Sequence, residues 1–413
     1  MGIIIIDEEH DSSYKSDMAP RFKAHDIAKY LAKKHDIPVV LGSATPDIST
    51  YHNSKNVIRL TRRANSSNLP DVEVIDLRQE LAIGNRTILS ERLKEEIENN
   101  LKEKKQTILF LNRRGFSTFV MCRDCGYTVK CKRCNISLTY HMKEDKLKCH
   151  YCGYEMNNIK ICPKCKSKNI KHFGSGTQKL EELIHNIYPQ ATTIRMDIDT
   201  VSKKNSHEEI LNKFKNENID ILIGTQMVVK GHHFPNVTLV GVIAADSSLN
   251  TGDYRANERT FQLLEQVSGR SGRGKKQGTV MIQTYNPDHF VLQCVKNHDY
   301  QMFYKKEMEI RQLAKYPPYC YLISVLVQGK KEEEVIWNAK QMKEYLKKQL
   351  PHVGVLGPAP CTIYKMSDIY RQRMTLKVTK TDHLYETLQM MMDYYNKKGK
   401  VNVICDFNPY TTI

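Results

Sequence analysis

The chain has 413 residues, 40% of them hydrophobic, enough for two to four packed domains, and no run of about 18 apolar residues that would predict a membrane span. No basic-then-apolar leader stands at its N-terminus, so a cytoplasmic protein without a membrane partner is the expectation. A formal net charge of +17 and a sequence pI near 9.2 point to a polyanionic partner, nucleic acid before any other.

In chain order, residues 3–6, four isoleucines, predict a buried strand that delivers Asp7 and Glu8 at its C-terminal end. Carboxylates there suit a magnesium-bound nucleotide: Asp7 to hold the ion, Glu8 to orient the attacking water. A second strand is predicted in "PVVLGSAT" at 38–45, and its "GSATP" can relay between the nucleotide site and a moving interface. A polar stretch at 65–70 predicts a linker. "SERLKEEIENNLKEKK" predicts a helix with Ser90 as N-cap, followed by a strand and turn in "QTILFLNRRG".

Eight cysteines then fall in four CxxC knuckles: Cys122 and Cys125, Cys131 and Cys134, Cys149 and Cys152, Cys162 and Cys165. In a cytosolic chain such knuckles predict two structural zinc ions, each closed by four thiolates and so without an open catalytic position. The segment is too poor in aliphatic residues to fold on a core of its own, and zinc supplies about 10–16 kcal/mol of apparent binding free energy. The spacing leaves the pairing open. Nesting is favoured, because joining the first two knuckles on one ion leaves a tight five-residue loop between them. Two bound ions and eight thiolates lower the formal charge from +17 to about +13, still basic. Lys130, Lys132, Arg133, Lys146, Lys148 and Lys160, with Lys143, stud the segment, and Tyr127, Tyr140 and Tyr151 are candidates to stack on bases.

Beyond it, "QKLEELIHNIY" puts Leu180, Leu183, Ile184, Ile187 and Tyr188 on one helical face. "ATTIRMD", "DILIGTQ", "VTLVGVIAAD" and "GTVMIQTY" predict strands. Their alternation with helices predicts a parallel sheet covered on both faces. "RTFQLLEQVSGRSGRG" predicts a helix that ends in glycine and arginine, with Gln266, Arg270 and Arg273 on one face if the helix persists that far. Arginines so placed can stabilise charge on a transferring phosphoryl group. The pattern G-x-x-x-x-G-K-[ST] occurs nowhere in these residues. "GRSGRGKK" comes nearest, but it ends in lysine and follows a helix, not a strand. From about residue 300, helices at 301–314, 332–349 and 381–396 alternate with strands near 321–328, 373–379 and 401–406, which predicts a separate small α/β domain.

Together these stretches resemble a superfamily-2 helicase motor. "DEEH" looks like its second motif, "GSATP" its third, "LFLNRRG" its fourth, "GTQMVVKGHHFP" its fifth and "QVSGRSGRG" its sixth. The eight-cysteine insertion, with "EEHDSSYK", "PRFKAHDIA", "GTQKLEEL", "DYRANERTF", "YPPY" and "VLGPAP", is similar to the primosomal protein N′ family, the PriA-type replication-restart helicases. The resemblance implies RecA-like parallel-sheet lobes: the end of the first at 1–70, the second at 71–119 and 171–300, a two-zinc insertion at 120–170 and a C-terminal α/β DNA-binding domain at 301–413. It implies ATP with Mg²⁺ between the lobes, held by Asp7, Glu8, Gln266, Arg270 and Arg273, and nested zinc pairing. It also implies 3′→5′ translocation, recognition of stalled forks, and partners among forked and single-stranded DNA, primosome proteins and single-stranded-DNA-binding protein, with a monomeric state. Tyr14, Lys15, Arg21, Phe22 and Lys23 match the family's loop that senses single-stranded DNA. The chain looks like the C-terminal part of such a helicase, beginning at its second motif and without the phosphate loop. The expectation is therefore poor ATP binding and no unwinding by the chain alone; the alternative is a non-catalytic, zinc-dependent DNA-binding or primosome-interaction fragment.

Overall fold

The computed structural model describes residues 2–410 apart from 17, 61–68, 112–118, 135, 142–143, 173–176, 198–205, 226–233 and 272–276. The expected linker at 65–70 and most of "GTQMVVKGHHFP" therefore lie largely outside the described residues. Among those residues no helix is long and apolar enough to cross a membrane.

The central body is a six-stranded, wholly parallel sheet. Its spatial order is Thr193–Met196, Ile221–Gly224, Gln106–Leu111, Val237–Ile243, Thr279–Thr284 and Asp71–Asp76. The strands at 106–111 and 221–224 are buried at every position, as near-continuous apolar runs between two helical layers require. One face packs Phe110, Phe214, Phe234, Phe261 and Phe303; the other packs Leu93, Ile97, Leu180 and Ile184. The helix Glu91–Lys102 starts as its sequence predicts, with Ser90 Oγ accepting from the Leu93 N–H at 3.2 Å. Gly241 lies where a helix crosses closely: an added Cβ would sit 2.9 Å from Leu109 and 3.1 Å from Leu93. The strand Asp71–Asp76 is an edge the sequence pattern did not reveal.

The strands Ile4–Ile6 and Val39–Leu41 pair in parallel as a separate two-stranded sheet. The helix Ala24–His35 packs on it. A fully buried first strand is what the isoleucine run predicts, yet Ile5 is 66% exposed and Val40 46% exposed. Neighbouring residues on a strand face opposite sides, and only one side of this small sheet meets the helix. The helix itself has no side-chain cap at Lys23, which removes the usual sequence signal for its start.

The helix Tyr300–Ala314 packs Phe303 and Met308 into the core of the large sheet, with Phe303 stacked on Phe261 at 4.3 Å. The chain then enters a four-stranded antiparallel sheet, in spatial order Gly354–Met366, Ile369–Val378, Tyr321–Gly329 and Asn402–Phe407. The helices Glu332–Gln349 and Leu384–Lys398 cover it through Val335, Met342, Leu346, Leu384 and Leu388. The 13-residue strand Gly354–Met366 was not expected from sequence. Its two glycines and two prolines read as loop, but it is an edge strand with two register shifts, where proline costs no ladder bond.

Candidate functional site

At the end of the first strand the backbone turns sharply. Gly42 N–H donates to Ile6 O at 2.8 Å, and Glu9 N–H donates to Gly42 O at 3.0 Å. Glu8 takes a φ of 46°, a conformation that costs a non-glycine residue on the order of 1 kcal/mol. The turn leaves Asp7 and Glu8 exposed, with Asp7 Oδ1 accepting from the Glu8 N–H at 2.9 Å, and buries Glu9 and His10. Two exposed carboxylates at a strand end are the hard oxygen donors that magnesium takes.

The buried pair organises the junction. Glu9 Oε1 accepts from the Asp47 N–H at 2.6 Å, and Glu9 Oε2 lies 3.3 Å from His25 Nε2. His10 Nδ1 is 2.7 Å from Ser43 Oγ, and His10 Nε2 is 2.9 Å from Gln266 Nε2. With the Gln266 amide donating to Nε2, the ring proton sits on Nδ1 and is donated to Ser43. One imidazole thus joins "DEEH", "GSATP" and "QVSGR". Gln262 adds a bond from its amide to Thr45 O at 3.3 Å.

Behind this junction runs a buried ionic chain. Asp47 pairs with Arg255; Arg255 Nε donates to Glu258 at 3.0 Å; Glu258 accepts from Arg311 at 2.8 Å; Arg311 Nε donates to Glu307 at 3.0 Å. Glu258 also accepts from the Ile48 N–H at 2.8 Å. Burial alone would raise the Glu258 carboxyl, but Arg255 and Arg311 outweigh it and hold the group well below the usual carboxylate range. The chain ties the residues after "GSATP" to the helices Ala256–Ser268 and Tyr300–Ala314. Sequence reasoning missed every member, although "DYRANER" carries two of them.

The helix bearing Gln266 ends at Ser268, with Gly269 as its cap, so the expected face of Gln266, Arg270 and Arg273 does not continue. The glycines interrupt it. Arg270 lies just beyond the helix end, and Arg273 lies outside the described residues. In the segment expected to sense DNA, Tyr14 donates to Asp7 O at 2.8 Å and meets His25 edge-on. Phe22 is exposed, and Arg21 and Lys23 are half-buried. Lys15 is different: its buried ammonium donates to Arg21 O, to Asp406 at 2.7 Å and to Phe407 O. Its three donors are spent on protein acceptors, so here it braces the loop and does not face a phosphate.

The cysteines gather as Cys122, Cys125, Cys162 and Cys165, and as Cys131, Cys134, Cys149 and Cys152, the sulfurs of each group within 4.8 Å of one another. The pairing is nested. Sulfurs of Cys122 and Cys165 are 3.6 Å apart, of Cys125 and Cys162 3.7 Å, and of Cys131 and Cys152 3.6 Å. Thiolates about 2.3 Å from a tetrahedral zinc ion lie about 3.8 Å apart, so both groups fit zinc. All four knuckles share one turn. The first cysteine's N–H donates five residues on, to Tyr127 O, Ile136 O, Tyr154 O and Ser167 O, each at 2.8 Å. The residue after the second cysteine takes a positive φ at Gly126, Gly153 and Lys166, so C-x-x-C-G is the local signal for the turn. Gly126 is doubly required: a Cβ there would stand 2.6 Å from Tyr285 O in the large sheet's domain.

The second group faces the C-terminal sheet. Tyr316 Oη donates to Cys134 O at 3.2 Å, and His150 Nδ1 donates to Pro360 O at 2.9 Å. Tyr316 stacks on Tyr254 at 4.8 Å, and the Tyr254 N–H donates to Tyr151 Oη at 3.3 Å. Tyr151 is 1% exposed, so it holds this junction together and is not free to stack on a base. Lys148 is paired with Glu144 and Glu155 at 2.6 and 3.1 Å.

Comparison with known proteins accords with this geometry. Residues 312–410 match the family described as primosomal protein N C-terminal domain, residues 131–156 the PriA DNA helicase Cys-rich region domain, and residues 157–275 the helicase conserved C-terminal domain. Among curated relatives, the replication restart protein PriA of Bacillus subtilis is 44% identical over 99% of this chain and 52% of its own length. That of Synechocystis is 42% identical over 91% of this chain and 47% of its own. The chain thus spans about half the length of these relatives. A solved structure of S. cerevisiae Dbp5 bound to RNA and ADP BeF3 overlaps 76% of this chain and 63% of its own at 12% identity, with a TM-score of 0.37, below the level at which a shared fold can be argued.

Proposed function

Because this chain belongs to the PriA family of replication restart proteins, we propose that it is the DNA-engaging part of an ATP-dependent, 3′→5′ DNA helicase that recognises stalled forks and assembles the primosome. The observation that carries this is the meeting of three sequence-distant stretches on His10, with Ser43 at 2.7 Å and Gln266 at 2.9 Å. An interface so bonded senses what lies between its two sides. In this proposal Asp7 and Glu8 face the nucleotide, Asp7 toward its Mg²⁺ and Glu8 toward the attacking water; Gln266, Arg270 and Arg273 approach from the other side. ATP supplies the phosphoryl transfer. The chain's own residues orient it and exclude water. The division into a partial first lobe at 1–70, a second lobe at 71–119 and 171–300, a zinc insertion at 120–170 and a C-terminal domain from 301 belongs to the same proposal. So do a cytoplasmic location, a monomeric state, and primosome proteins and single-stranded-DNA-binding protein as partners.

A second reading, a non-catalytic zinc-dependent DNA-binding fragment, is favoured by one fact: no G-x-x-x-x-G-K-[ST] occurs in these 413 residues. Fluorescence anisotropy on labelled single-stranded and forked DNA, with phosphate release from ATP measured alongside, tests both. Expected is DNA binding whose log affinity falls with log salt by about 0.7 per phosphate engaged. Substituting Arg21, Phe22 and Lys23 together by Ala should weaken it about tenfold, and the isolated chain should release phosphate at background. Salt-independent or absent DNA binding would sink both readings. DNA-stimulated ATP turnover by the chain alone would remove the second.

A further inference from the structure

The last described residues of the small C-terminal domain reach back across the molecule to the nucleotide-facing turn. Two separate contacts do this. Asp406 and Phe407 O receive the Lys15 ammonium, at 2.7 and 3.2 Å. Tyr410 places its ring against two guanidiniums, Arg255 at 4.7 Å and Arg259 at 4.8 Å from the ring centroid, and its carbonyl accepts from Arg259 Nη2. Its hydroxyl donates to His10 O at 3.3 Å. His10 is the residue bonded to Ser43 and Gln266, and Arg255 is the residue paired with Asp47. Tyr410 therefore touches the junction at two of its points, the His10 main chain and the Arg255 guanidinium.

We propose that Tyr410 is a positioning residue for the nucleotide-facing turn: its hydroxyl fixes the main chain at His10, and its ring orders Arg255 against Asp47. The assignment of the turn to a nucleotide rests on the proposed function; the positioning does not. Its consequence is that the four-stranded domain is mechanically part of the motor interface, not an appendage. Whatever binds or displaces that domain alters the His10 bridge, and nucleotide at the bridge alters the domain.

The test uses the full 413-residue chain labelled with 15N-histidine. The His10 ring signals, identified by their loss in His10→Asn, report its two hydrogen bonds. Tyr410→Phe keeps the ring on both arginines and removes only the hydroxyl. It should shift the His10 signals and leave zinc content and protection of Tyr321–Gly329 unchanged. Tyr410→Ala should shift them further and speed amide exchange over residues 9–15 about tenfold. Packing of the tail alone would not move His10. Unaltered His10 signals in Tyr410→Phe, with any loss of protection confined to 402–410, would overturn the proposal, and this holds even if Tyr410→Ala unfolds. A chain that shows the shift but binds no DNA keeps the positioning role and loses the motor assignment; the reverse outcome loses Tyr410 alone.

Discussion

Replacing Cys131 by Ser is expected to lower bound zinc from two ions to one and to loosen the C-terminal sheet where it meets the cysteine segment. Cys131 is buried in a cluster that also contains Tyr316, Cys320 and Leu322; Cys122 and Cys162 line the same cluster, but the bonds toward the C-terminal sheet, at Cys134 O and His150 Nδ1, come from the second group. A structural zinc ion contributes about 10–16 kcal/mol, as much as a whole domain's stability. Its loss leaves Cys134 and its carbonyl partner Tyr316 without a fixed frame. Amide protection in Tyr321–Gly329 should fall with it. Cys165→Ser is the control: Cys165 is the exposed ligand of the other group, whose Cys122–Cys125 knuckle packs on Tyr285 through Gly126, so it should cost the first zinc and leave the C-terminal sheet protected. Zinc release read with a chromogenic chelator, together with hydrogen exchange, decides the matter. Equal loss of protection in the two variants would show that the groups do not divide the two contacts.

The second large effect lies in the ionic chain. Glu258→Ala should destabilise the fold by about 3–5 kcal/mol, because Glu258 is 0% exposed and its removal leaves two buried arginines with one carboxylate each, Arg255 with Asp47 and Arg311 with Glu307. It also deprives the Ile48 N–H of its acceptor. The pH dependence has a definite sign. The Glu258 carboxyl is held below its unfolded value, so the stability it contributes is present above that unfolded value, about 4.3, and is lost as pH falls through the folded one. Denaturant unfolding at pH 7 and in mild acid should show the wild type losing, below about pH 4, an advantage that Glu258→Ala never has. A substitution costing less than about 1 kcal/mol would mean that water reaches the pair and screens it.

Much of this was legible in the residues. Apolar runs such as "QTILFL" and "DILIG" suit a strand between two helical layers, so the buried strands of the large sheet follow from pattern. The cysteine spacing carried the metal centres, and the short loop between the first two knuckles carried the nested pairing. Hidden features were those with no local pattern. Asp71–Asp76 and Gly354–Met366 are edge strands, where composition is loosely constrained. Glu9 and His10 lie inside "DEEH" and Asp47 follows "GSATP", but which of the four acids and bases of "DEEH" turn inward depends on the positive φ at Glu8. Tyr410 is about 400 residues from His10, and its contact is a tertiary fact that no spacing rule contains.

The whole arrangement depends on the first cysteine knuckle closing with the fourth and the second with the third. Diffraction from the purified chain at the zinc absorption edge tests this directly. Expected are two anomalous peaks, one enclosed by Cys122, Cys125, Cys162 and Cys165, the other by Cys131, Cys134, Cys149 and Cys152. A single peak, or an ion shared between Cys125 and Cys131, would contradict it.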